Sequence, residues 1–116
     1  MAHPLKTFPL LWDKEVAETF VRTQLNEEGP DYIVASDVVF GEDRKIWKGL
    51  VDTFTTICKT KDCVIIYGHT FRYPEKEKYF FKLMEKHFDI KVINQLLKQN
   101  KKNTIYIYIY IYMYVL

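Results

Sequence analysis

Residues 30–40, Pro30-Asp31-Tyr32-Ile33-Val34-Ala35-Ser36-Asp37-Val38-Val39-Phe40, decide how the chain is read. Pro30 and Asp31 punctuate. Tyr32 to Ala35 then form a short continuous apolar run rich in β-formers, the pattern of a strand buried on both faces inside a parallel sheet. Ser36 and Asp37 follow at once, at the strand's carboxyl end. Ligands of open α/β sheets bind just beyond such ends. An acid there, followed by Val38, Val39 and the aromatic Phe40, is a candidate site edge. The competing account is local: Asp commonly caps helices and turns loops.

Working outward, Gly41-Glu42-Asp43 breaks this strand and opens a helix. Ile46, Leu50, Phe54 and Ile57 recur at helical spacing, and Trp47 and Val51 widen the stripe. Gly49 weakens this helix slightly and leaves room for close packing. Lys59-Thr60-Lys61-Asp62 is a solvated turn. Cys63 to Tyr67 is a second apolar strand, so strand, helix and strand make a βαβ unit with parallel strands. Gly68 to Tyr73 reads as a loop at the same sheet edge as Asp37. Pro74 suits the first turn of the next helix, Glu75 to His87, which turns Tyr79, Phe80, Leu83, Met84 and His87 inward. Asp89 to Ile93 reads as a third strand. Upstream, Asp13 caps a helix running to Leu25, with Val16, Ala17 and Phe20 on one face. Residues 1–12 carry Pro4 and Pro9 and are extended.

Four segments result: an extended start (1–12), an α/β body (13–93), a Lys-, Gln- and Asn-rich linker (94–104) and a low-complexity tail (105–116). In the tail, Ile-Tyr repeats four times from Ile105 to Tyr112. The alternation has a strand's period, yet both residue types are apolar and neither face is polar. Uncharged and free of proline, such a segment is prone to β-aggregation. An uninterrupted AT dinucleotide repeat also encodes Ile-Tyr. Translated repeat DNA and a last strand pairing with residues 89–93 therefore both stand.

Composition narrows the function classes. The 116 residues suffice for one small domain, and 48% are hydrophobic, in keeping with a globular core. A net charge of +2, from 17 basic and 15 acidic residues, makes no case for nucleic acid or a membrane surface. No secretory signal opens the chain, and no segment has the ~20 apolar residues of a membrane-spanning helix. Cys58 and Cys63 fit neither a zinc pattern nor a redox pair, and reduced, buried thiols favour an intracellular location. His69 and His87 have no metal spacing, and no metal is expected.

Asp31 to Phe40 resembles the acid-to-aromatic segment after the fourth strand of class I, seven-strand S-adenosylmethionine-dependent methyltransferases. Within that class it is similar to the protein lysine methyltransferases that include those acting on valosin-containing protein and heat-shock protein 70. Phe71-Arg72-Tyr73 resembles their arginine-bearing loop after the fifth strand, and Tyr79 to Ile90 the following helix and sixth strand. Leu11-Trp12 is similar to their Leu-x-Trp-Gly, with Asp13 in place of the glycine. The resemblance covers about residues 10–93.

What the resemblance implies is an α/β fold: the C-terminal half of a Rossmann-like seven-strand methyltransferase sheet, β-α-β-α-β plus an extra terminal strand if the Ile-Tyr tail supplies one. It implies S-adenosyl-L-methionine as cofactor, flanked by Trp12 at the adenine and by Ser36. It implies Asp37 and Phe40 at a lysine channel, with Asp37 positioning the target amine, and Arg72 facing substrate. The partner implied is a protein presenting a lysine, such as a chaperone or an ATPase, in the cytoplasm or nucleus. Arginine-modifying relatives share a similar segment. Each residue keeps an ordinary alternative: Trp12 and Phe40 as core, Arg72 as a surface cation. The four glycines, Gly29, Gly41, Gly49 and Gly68, form no Gly-rich turn, and such enzymes use one to bring backbone up to the cofactor. A chain without that half is expected to be weak or inactive alone, or to be a non-catalytic interaction module, and to associate through its unpaired sheet edge.

Overall fold

A computed structural model describes residues 5–25, 27–39, 43–99 and 105–116, with side chains throughout except at 94–99 and 105–108. The elements run α1 (Lys14–Gln24), β1 (Tyr32–Ser36), α2 (Arg44–Ile57), β2 (Val64–Phe71), α3 (Pro74–Glu85), β3 (Phe88–Gln99) and β4 (Ile105–Val115). Phe40 and Gly41 lie outside the described residues.

The strands form one sheet in the order β1-β2-β4-β3. β1 and β2 are parallel, as the βαβ pattern predicts, with Val34 opposite Ile66 and Ser36 opposite Gly68. β4 is antiparallel to both neighbours. The Ile-Tyr segment therefore lies inside the sheet rather than trailing from it. Its pairing with β3 includes Asp89–Tyr114 and Ile90–Met113. Two strands outrun the sequence reading because β4 is there to pair with them. β2 continues through Phe71, where a loop was expected from Gly68. β3 continues to Gln99, into the expected linker.

Pairing also gives the repeat two distinct faces. Ile109, Ile111 and Met113 are buried with Ile65, Tyr67, Trp47, Phe54, Phe80 and Met84 in the main core under α2 and α3. Tyr110, one residue out of phase, is on the opposite face and exposed. β1 obeys the same rule and corrects the expectation of a strand buried on both sides. It is an edge strand: Ile33 and Ala35 pack inward, while Tyr32 and Val34 remain 65% and 76% exposed.

The helices are cut where local chemistry dictates. Asp13 caps α1 through Oδ1, which accepts from Glu15 N at 2.8 Å. Asp43 caps α2 by accepting from Lys45 N at 2.9 Å, so the helix begins at Arg44, without acids in its first turn. On α2 the buried stripe is Trp47, Leu50, Val51 and Phe54; Ile46 is turned one position away from it and stays half exposed. Gly49 has the expected packing role. A Cβ there would run into the backbone carbonyl of Trp12, so its absence lets the N-terminal segment lie against α2. α1 packs on α2 through Ala17, Val21 and Ile57. His87 follows the end of α3 and is exposed, not inward.

Cys58 and Cys63 are joined as a disulfide across the α2–β2 turn, with Cα atoms 5.5 Å apart. This corrects the expectation of free thiols and removes the ground on which they favoured an intracellular location. No described helix is long and apolar enough to cross a membrane.

Candidate functional site at the carboxyl ends of β1 and β2

Parallel pairing brings the ends of β1 and β2 to one rim of the sheet. Asp37 is the first residue beyond β1, with φ 50°, a left-handed conformation that Asp tolerates better than most side chains. Its N–H donates to Gly68 O at 2.9 Å, adding a last rung to the ladder. The turn points its carboxylate along β2. Oδ1 accepts from Thr70 N at 2.7 Å, and Oδ2 is 3.3 Å from the Thr70 hydroxyl, which donates to it. Thr70 escaped the sequence reading, because the strand was expected to stop before it.

Arg72 stands two residues beyond Thr70. Its side chain is exposed, and its backbone N–H donates to Glu77 Oε2 at 2.9 Å. Tyr73 N–H donates to the same oxygen at 2.6 Å. Glu77 thus reaches back from α3 to cap its own helix, whose cap residue Tyr73 offers no side-chain bond. A proline at the helix start followed by a Glu is the sequence signal that could have disclosed this. The Ser36 hydroxyl lies beside Gly68, at ordinary contact distance from where a Cβ on that glycine would be.

Trp12 sits elsewhere. It is half-buried and lines a mostly apolar groove of about 410 Å³ with Ala35, Val38 and Leu50. Ser36, Asp37 and Arg72 do not line that groove. The structure therefore gathers Ser36, Asp37 and Arg72 at one rim and sets Trp12 against α2, in a groove that Val38 also lines. Among the described residues, no group of three or more His, Cys, Asp or Glu is placed to hold a metal ion.

A family model described as lysine methyltransferase matches residues 2–87. The chain belongs to the lysine methyltransferase family. The match takes in α1, β1, α2, β2 and α3, including every described residue of the rim, and stops short of β3 and β4. This family of methyltransferases uses S-adenosylmethionine, the cofactor the resemblance implied. The chain is also similar to a solved structure, the N-methyltransferase NodS from Bradyrhizobium japonicum WM9, determined with S-adenosyl-L-homocysteine. The two share 11% identity at a TM-score of 0.48, over 74% of this chain and 47% of that one. The chain thus spans about half the length of that protein. No curated protein matches it.

The residues present fit only part of such a cofactor. Trp12, Ala35 and Val38 offer an apolar wall suited to a flat heterocycle. Among the described residues, no acid lines that wall to meet ribose hydroxyls. Of the described glycines, Gly29 and Gly49 abut protein backbone and Gly68 abuts Ser36 and Tyr110, so none forms a cradle open to a ligand.

Proposed function

We propose that these residues form the substrate-side half of an S-adenosylmethionine-dependent methyltransferase acting on lysine side chains of proteins. Methyl transfer to an amine needs a neutral nitrogen aligned with the methyl carbon in a channel that excludes water. Bonding the methyl to nitrogen releases the donor's sulfur as a thioether, and the amine loses a proton to solvent. In this reading Trp12 flanks the adenine, Ser36 borders the cofactor, and Phe40 and Arg72 shape the approach of the lysine. Asp37 acts by holding the two strand ends together, its carboxylate being engaged by Thr70. The observation that carries the reading is the family match over all the elements that build this rim.

Half a site gives half the contacts, so residues 1–116 alone are weak or inactive. Calorimetric titration of this chain with S-adenosylmethionine tests that. No heat at micromolar cofactor is the expected result, and micromolar binding would overturn it. For the target, mass spectrometry of protein methylated by a longer chain carrying these residues should find methyllysine; methylarginine instead would assign the relatives that modify arginine.

The exposed edge of β1 favours a second reading, a non-catalytic module that binds through its sheet. An upstream reading frame continuous with Met1 and encoding a strand and a Gly-rich turn supports the enzyme. Untranslated sequence there supports the module.

A further inference from the structure

β2 carries two polar groups on its inward, otherwise apolar face. Tyr67 and His69 are both buried, and His69 is enclosed by the rings of Tyr67, Phe71 and Phe81 at centroid distances of 5.8, 4.7 and 5.2 Å. The Tyr67 hydroxyl is 3.3 Å from His69 Nδ1. On the other side of the ring, Nε2 is 3.3 Å from Oε1 of Glu77, whose side chain is also buried. Nε2 is not aligned for a hydrogen bond and is the one buried side-chain polar atom among the described residues that lacks one. An ionisable pair in a core is costly unless it is well satisfied, so its presence here invites a reason beyond packing.

Each end of this chain of contacts meets a different loop. Val39, from the loop after β1, is buried in the same core cluster as Tyr67, and Val38 packs against that cluster. Glu77 Oε2 accepts from the backbone of Arg72 and Tyr73. One proton arrangement suits every link. The Tyr67 hydroxyl donates to Nδ1. That leaves the proton of neutral His69 on Nε2, facing the Glu77 carboxylate.

We propose that Tyr67, His69 and Glu77 form a buried positioning relay that couples the loop after β1 to the loop after β2. Asp37 already ties the two strand ends directly through Gly68 and Thr70; the relay is a second path, by which a change at one end repositions the backbone at the other. Among the described residues, the charged groups that act on His69 are Glu77 from α3, in contact with it, and, at longer range, Asp37 from the end of β1 and Arg72 from the β2–α3 loop. Protonating His69 would make Nδ1 a donor as well, turn the Tyr67 hydroxyl and tighten Nε2 onto Glu77. Any effect on methyl transfer rests on the function proposed above; the coupling itself does not, and it is measured without cofactor.

The test is amide NMR on the full 116-residue chain labelled with nitrogen-15. Between about pH 8 and about pH 5, the amides of Val38, Val39, Arg72 and Tyr73 should move with one shared midpoint, that of His69. In Glu77→Gln, hydrogen exchange at Val38 and Val39 should quicken by about tenfold, although Glu77 touches neither. Tyr67→Phe should do the same at Arg72 and Tyr73, with Ala17 and Val21 of α1 unchanged in both variants. Separate midpoints, or effects confined to the loop next to each substitution, would overturn the relay. The titration of the unsubstituted chain decides the matter even where a variant fails to fold. Cofactor titration, whatever its result, bears on the proposed function alone.

Discussion

The carboxylate of Asp37 and the backbone of Thr70 are bonded at 2.7 Å, across 33 residues of sequence. That contact ties the end of one parallel strand to its neighbour, at a rim that lies within the residues the family model matches. Asp37→Ala removes the acceptor and leaves a non-glycine side chain at positive φ, so it should cost about 1–3 kcal/mol of stability. Asp37→Asn keeps an acceptor for Thr70 N and tolerates the same backbone, and should cost less than half as much. Urea unfolding of the two variants measures both. Equal losses would show that the contact with Thr70 contributes nothing.

Acid should weaken the fold through His69. Burial is the largest influence on its ring and holds its pKa below the ordinary 6.5, against the opposing pull of Glu77 and Asp37. The unfolded chain therefore takes up a proton as pH falls through about 6.5, which the folded chain resists. Stability contributed in this way is complete above that value and is lost on acidification towards the folded-state pKa. Denaturation midpoints at several pH values should fall below about pH 6.5, and His69→Phe should flatten the fall.

Gly49→Ala reverses the usual rule for helices. In an exposed helix the change gains about 1 kcal/mol. Here the new methyl meets the Trp12 carbonyl. Overpacking of this kind typically costs about 1–3 kcal/mol, so the variant should be less stable than its parent. Relief would come by displacing residues 10–12, seen as a red shift in tryptophan emission.

The two faces of β4 should answer differently to substitution. Ile111→Ala empties a site in the core and should cost about 2–5 kcal/mol. Tyr110→Thr, on the open face, should change stability by less than about 1 kcal/mol and slow aggregation by removing exposed apolar surface. Comparable losses at both positions would mean that the repeat does not pair as described.

Much of this fold was legible because local signals agreed. Asp13, Asp43 and Pro74 marked helix starts, and α2 and β2 showed their periods plainly. What escaped depended on partners distant in sequence. β1 looked doubly buried because an apolar run carries no sign of how many neighbours the strand has. β2 ran past Gly68 because β4, nearly forty residues on, supplies its hydrogen bonds. Asp37, Ser36 and Arg72 were legible as a group from topology, since parallel strands share an edge. Thr70, His69 and Glu77 were not, because side-chain pairing through a core leaves no periodic trace. Cys58 and Cys63 eluded the reading because their spacing matched no motif, although a short turn brings them together.

The placement of Ile-Tyr repeats at the centre of the sheet carries one more consequence. A slide of two residues along either neighbour would return isoleucine to the inside and tyrosine to the outside, so the repeat cannot tell such alignments apart. The correct alignment must be selected where the pattern breaks. Met113 lies opposite Ile65 and Ile90, Leu116 N donates to His87 O at 3.2 Å, and the β3 partner is irregular between Val92 and Asn94. Those few aperiodic positions are where one native sheet is distinguished from a family of near-identical impostors.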